Sequence, residues 1–144
     1  MKMKLHHLRI DYKTLKNIEM YFKNGLTVFS AAGEETRTEL SEIFNFLMKN
    51  KGKKIEEVEN FAQIKIFDEK NNPVSEIPDE FAFYCESTYP QEKQFEEDIK
   101  KQSENLQVFV LTHNSQIVAS ADYLIGIAFD TKENKLYATG VNLK

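Results

Sequence analysis

One cysteine, two arginines and no long apolar run set the first limits on this chain of 144 residues. A lone thiol, Cys85, cannot close an intramolecular disulfide, so the fold has to stand on its core, and a reducing, cytoplasmic compartment is the expectation. The N-terminus lacks the apolar run of a secretory signal. No stretch approaches the roughly 20 apolar residues of a membrane span, because the longest, such as VFVL at 108–111, have the length of a strand, and no membrane partner is expected. Arginine, the usual bidentate phosphate ligand, is confined to Arg9 and Arg37, and the net charge is −4, so general affinity for nucleic acid is not implied. The one basic run, KNKGKK at 49–54, follows a helical pattern and reads as a solvated helix end that complements the macrodipole.

What remains is ordinary for a globular protein: 41% apolar and 29% charged residues, far from the depleted hydrophobicity of a disordered chain. A chain of this size buries roughly two-thirds of its unfolded surface, and one domain spanning residues 1–144 is expected. Residues 3–11 and 17–22 alternate as short strands, Asn24–Gly25 is a turn, and LTVFSA at 26–31 is a buried strand. From residue 35 the period changes, with Leu40, Ile43, Phe44 and Leu47 at i, i+3, i+4 and i+7 of an amphipathic helix that fades near residue 50.

Residues 62–67 alternate again, KNNP at 70–73 is a turn, and 80–86 is a further strand; the two strands either form a hairpin or lie in different sheets. Pro90 precedes a polar helix over 91–102 with a narrow stripe of Phe95 and Ile99. QVFVLT at 107–112 is a strand built on an unbroken apolar run, VFVL, as in the middle of a parallel sheet. A helix at 115–121, a strand at 123–129 and an edge strand at 135–141 follow, without repeats, low-complexity tracts or linkers. This rhythm predicts an α/β fold: a mainly parallel sheet flanked by helices 35–50 and 91–102, with strands 26–29, 81–85 and 108–111 adjacent in the core and an antiparallel N-terminal portion.

The strand–turn–helix of residues 26–47 occupies the place of a P-loop, where backbone N–H groups and a lysine cradle phosphates at a helix N-terminus. Laid over SAAGEETRT, Ser30 to Thr38, the motif G-x-x-x-x-G-K-[ST] finds one glycine, Gly33, and Thr36 in place of lysine. Glu34 and Glu35 put negative charge where phosphate would go. Arg37 is the sole cation there, without the glycines that let backbone approach a phosphate. Further on, residues 81–114 bring one apolar strand to end at Glu86 and another at His113, on the edge where α/β sheets bind ligands.

These segments together resemble the head domain of the ABC superfamily, and most of all its SMC, RecF and RecN branch. LKNIEMYFKNGLTVFS at 15–30 is similar to the opening that leads into the P-loop of those heads. FAFYCEST at 81–88 looks like the Walker B strand, with Cys85 at the magnesium-binding aspartate and Glu86 at the catalytic glutamate. VFVLTHNSQIVASADYLIGI at 108–127 is similar to the switch strand, with His113 at the switch position. Three departures go with it: no P-loop lysine, no Walker B aspartate and no LSGGQ-like signature. Between residues 67 and 81 there is room only for a turn, so the helical arm of the family is absent.

The resemblance implies a P-loop-NTPase-like fold whose nucleotide chemistry is gone: no cofactor, Glu86 and His113 as vestiges, and Ser30, Gly33, Thr36, Arg37 and Thr38 as a degenerate loop. Cys85 within an apolar strand behaves as a small hydrophobe, and His6 and His7, adjacent on a strand, point to opposite faces, so no metal site is expected. The function expected is macromolecular binding without catalysis: to a full ATPase of the same superfamily, by self-association, or, as an oligomer, to DNA. Two alternatives stay open, an unusual nucleotide-binding enzyme that uses Arg37, Glu86 and His113, and a structural protein whose old active edge has no role.

Overall fold

The computed structural model of the chain describes residues 3–31, 33–58, 63–85, 92–112 and 114–143. Its strands form two sheets. The first is antiparallel, in the order β2 (Leu15–Tyr21), β1 (His7–Tyr12), β4 (Gln63–Phe67). The second runs β5 (Phe81–Cys85), β6 (Gln107–Leu111), β3 (Leu26–Ala31), β7 (Tyr123–Asp130), β8 (Lys135–Asn142). The helices are α1 (Glu34–Lys49), the single turn α2 (Ile55–Val58), α3 (Glu92–Ser103) and α4 (Ser115–Ser120).

Side-chain alternation explains the division. In the small sheet Leu8, Ile10, Ile18, Met20 and Ile66 are buried while Arg9, Glu19 and Lys65, in register on the other face, are not, the pattern of an antiparallel sheet wet on one side. In β6 all five residues are buried, as a central strand covered on both faces requires. Phe29, Phe109 and Leu111 join the core that takes in Leu40, Ile43, Phe44 and Leu47 of α1 and the inner face of the small sheet. Leu26, Val28, Val108 and Val110 pack instead with Phe95 and Ile99 of α3 and Ile117 and Ala121 of α4. Phe44 is the hub of the first core, with ring centroids 4.9 Å from Phe29, 5.2 Å from Phe83 and 5.3 Å from Phe109.

Strands β3, β5 and β6 are adjacent, as the apolar runs predicted. The expectation of a mainly parallel sheet needs correcting: β5, β6, β3 and β7 are parallel, but three of the six ladders among the described residues are antiparallel. The N-terminal strands are a separate sheet, because β4 pairs with β1 and not with β5. Strand β1 also starts later than its alternation suggested. The segment before it is held by the buried side chain of Gln107, whose Oε1 accepts from Leu5 N at 2.8 Å and whose Nε2 donates to Leu5 O at 2.7 Å.

At the other crossing, Gly25 has φ +89°, and a Cβ there would stand 2.2 Å from Asp122 Oδ2, which accepts from Leu26 N at 2.8 Å. This close approach fixes the entry into β3. From β3 the chain leaves toward α1 on one face of the large sheet, whereas from its neighbour β6 it leaves toward α4 on the other. Where neighbouring parallel strands send their connections to opposite faces, a crevice opens at their C-terminal ends, and Gly33 and the start of α1 follow β3 at that edge.

Candidate functional site

Only positions 32 and 33 separate β3 from α1; residue 32 lies outside the described residues. Gly33 is the N-cap at φ 88° and ψ 139°, a conformation side chains resist, although the space around its Cβ position is open. Residues 34–38 are already helical, and Arg37 N donates to Gly33 O at 3.3 Å as a helical bond. The Arg37 guanidinium folds back, Nη1 donating to Ala31 O at 3.2 Å. Ser30, Glu34, Glu35 and Thr38 are exposed, and Thr36 is buried.

The α1 N-terminus has no side-chain cap. Two exposed carboxylates in its first turn, Glu34 and Glu35, stabilise the helix through its dipole by about 0.3–1 kcal/mol each and repel a polyphosphate. One turn on, Glu39 is buried at 3% exposure and accepts from Thr14 N and Thr14 Oγ1, both at 2.7 Å, while Glu42 pairs with Lys13 at 3.2 Å. The β1–β2 turn is thereby clasped to α1.

The neighbouring strand ends are partly described. Cys85 is half-buried opposite Leu111 in the β5–β6 register. Glu86 and His113 lie outside the described residues, so the structure brings their strands together without describing the side chains. Between them and α4, Thr112 Oγ1 accepts from Asn114 N at 2.9 Å, and Asn114 Oδ1 caps α4 by accepting from Gln116 N and Ile117 N at 2.8 and 3.2 Å. Among the described residues no group of three His, Cys, Asp or Glu side chains is placed to hold a metal ion, and no helix is long and apolar enough to cross a membrane.

Elsewhere, an open cleft of about 560 Å³ lies at the N-terminal end of β5, lined by Lys4, His6, Asp68, Lys70 and Glu80 among others. Asp68 is not available there as an ordinary carboxylate: it accepts from Lys70 N and Asn72 N, both at 2.9 Å, and the bonds from Asn72 and Lys70 hold its pKa below the usual range. Lys51 donates to Phe81 O at the outer edge of β5, and burial lowers its pKa. The basic run is thus partly spent on capping a sheet edge.

No protein-family model and no curated protein matches the chain. Among solved structures it is similar to the SMC head domain from Thermotoga maritima, with a TM-score of 0.50 and 11% identity over 99% of this chain and 100% of that one. The fold is SMC-head-like. A second match, the SmcHead bound to the C-winged helix domain of ScpA, has a TM-score of 0.37 and 15% identity over 78% of this chain and 47% of that one.

In this head-like fold β3, β5 and β6 are the strands that the resemblance equates with the P-loop, Walker B and switch strands. At 11% identity the likeness carries the fold and no residue's role. Residues that organise the fold but escaped the sequence reading are Glu39 in α1 and, at the N-terminal ends of the parallel strands, Gln107 and Asp122. Only Gln107 left a signal, a polar residue opening an otherwise apolar strand.

Proposed function

We propose that the chain is a non-catalytic, P-loop-NTPase-like head that acts by binding another protein, a head-bearing ATPase of the ABC and SMC type being the first candidate. The β3–α1 connection carries this reading. A phosphate cradle needs a run of loop amides converging on one point, with a cation behind them. Here two positions form the connection, the next five residues are helical, two carboxylates stand in the first turn, and the sole cation is bonded to Ala31 O. Phosphoryl transfer depends almost wholly on positioning and charge neutralisation, and neither has a counterpart among the described residues of this connection.

The protein-binding half rests on the surface. Phe129, Tyr137, Val141 and Leu143 are each more than 40% exposed, and Tyr137 and Val141 continue the face of β7 on which Leu124 meets the α3–α4 core. Charge favours protein over DNA: the net charge is −4, and the basic run at 49–54 is followed by Glu56 and Glu57 in the first turn of α2. Co-purification of the tagged chain from its native cells, read by mass spectrometry, tests the reading. A head-bearing ATPase recovered above control supports it; recovery of nucleotide with the chain and no protein overturns it in favour of an enzyme using Arg37, Glu86 and His113.

A further inference from the structure

Strands β2, β4, β5 and β8 are the outermost of their sheets. An outermost strand presents unpaired N–H and C=O groups, and proteins blunt such edges with charge, proline, irregular backbone or a covering segment. The chain folds back along β4, with Val74 N donating to Ile66 O at 2.8 Å and Pro73 bridging to Phe67. Lys51 donates to Phe81 O on β5. Strand β2 carries Lys16 and Glu19, and its backbone is irregular at Asn17, where φ is 50°. Strand β8 has none of these devices. It pairs with β7 along its whole length without a bulge, and from Leu136 to Asn142 it contains neither charge nor proline.

Which groups β8 leaves open follows from its pairing with β7. Leu143 N donates to Asp122 O at 3.0 Å, one step beyond the Tyr123–Asn142 pair. Backbone direction alternates along an antiparallel strand, so the odd-numbered residues of β8 bond β7, and Leu136, Ala138, Gly140 and Asn142 turn their N–H and C=O groups away from it. Among the described residues no other strand pairs with them. Leu136 and Ala138 pack against the core shared with the small sheet, yet Gly140 and Asn142, on the same side of β8, are exposed, so the edge beside them is open. The side chains of Tyr137, Thr139 and Val141 stand exposed on the other face.

We propose that this edge pairs with the same edge of a second copy of the chain, β8 antiparallel to β8 about a twofold axis at Thr139. In that register the strand complements its own reverse. Thr139 meets Thr139 and Tyr137 meets Val141, and threonine pairs and aromatic–β-branched pairs are favourable cross-strand neighbours. On the inner face Ala138 meets Gly140 and Leu136 meets Asn142; these are the residues with outward backbone groups, so each pair closes two hydrogen bonds. Lys135, the one charged residue of β8, faces Leu143 and stands about 27 Å along the strand from its symmetry mate, so like charges do not oppose each other. An axis at Ala138 or Gly140 would lose both the Thr–Thr and the Tyr–Val pairs. A closed twofold contact consumes the bare edge of both copies. It uses the edge of β8 and leaves its face open, so it stands or falls without the protein-binding reading above.

Edge pairing buries little side-chain surface and gives a weak dimer, so the test is sedimentation equilibrium of the full chain from about 5 μM to about 500 μM. The mass should rise from that of one chain toward that of two and stop there. Thr139→Lys leaves its side chain in solvent in the single chain and sets two lysines against each other at the axis; its dissociation constant should be higher on the order of tenfold, with Tm unchanged. Thr139→Glu should behave alike, and an equal mixture of the two variants should recover the dimer. As an independent measure, oxidation should cross-link Thr139→Cys to itself, whereas Tyr137→Cys should cross-link only when mixed with Val141→Cys; the wild type, with Cys85 alone, is the control. A mass that stays single at the highest concentration, growth beyond two chains, a Thr139→Lys variant that dimerises like the wild type, or no cross-link through position 139 overturns the proposal.

Discussion

Gln107→Leu removes the amide that stands in for a strand partner at the N-terminus while keeping nearly the same volume. Gln107 is 1% exposed and Leu5 0%. The substitution leaves Leu5 N and Leu5 O, now bonded at 2.8 and 2.7 Å, without partners in a dry place. Lys23 O, at 3.0 Å from Nε2, belongs to an exposed residue and can turn to water. Each stranded buried group costs about 1–3 kcal/mol, and the added apolar surface of leucine returns part of it, for a net loss of about 3 kcal/mol.

Unfolding entropy of about 2.1 cal/mol/K per residue gives about 0.3 kcal/mol/K for a chain of this length, so Tm should fall by about 10 °C. Calorimetry checks this, with urea unfolding as the second measure. Gln107→Glu, which keeps the acceptor and loses the donor, should be no more stable than the leucine variant. A fall of less than about 3 °C, roughly 1 kcal/mol, would refute the reasoning and mean that residues 3–6 are held by something other than this amide.

Gly25→Ala would press a Cβ to 2.2 Å from Asp122 Oδ2 at φ +89°; a loss of about 2 kcal/mol is expected from the conformation and the displaced carboxylate together, measured by urea unfolding. Glu19 gives a pH dependence: the Arg9 hydrogen bonds hold its carboxyl below the usual range, against an opposing push from burial. A depressed carboxyl stabilises fully above the ordinary carboxylate value and loses that contribution as pH falls through the lowered one. Because the side chains are 43% and 37% exposed, the contribution is below about 1 kcal/mol. Arg9→Gln should cost that much near neutrality and nothing at about pH 2, as read by acid-series unfolding.

Much of the large sheet was legible because its strands are apolar on both faces. The helix stripe of Leu40, Ile43, Phe44 and Leu47 and the run of β6 left no other assignment, and the helix starts at Glu34, one residue before the expectation. The division into two sheets was not legible, since alternation in residues 62–67 says that one face is wet and nothing about which strand is the neighbour. Strand β2 was entered two residues late because Lys13 and Asn17 have positive φ of 50°, and neither is a glycine that would announce it.

The site was less legible than the fold. A missing lysine and missing glycines show in a sequence; that Arg37 turns back to Ala31 O and that Glu39 is consumed by Thr14 do not, because both depend on tertiary approach.

The most direct test of the central claim is the melting temperature of the unmodified chain with and without millimolar Mg-ATP. Nucleotide at a hundred times its dissociation constant adds about 2.7 kcal/mol, which for this length is a rise of about 9 °C. The account predicts no shift, because the β3–α1 connection offers carboxylates and a spent guanidinium where phosphate would bind. A rise of several degrees that requires the triphosphate, together with phosphate release above a Glu86→Gln control, would contradict it.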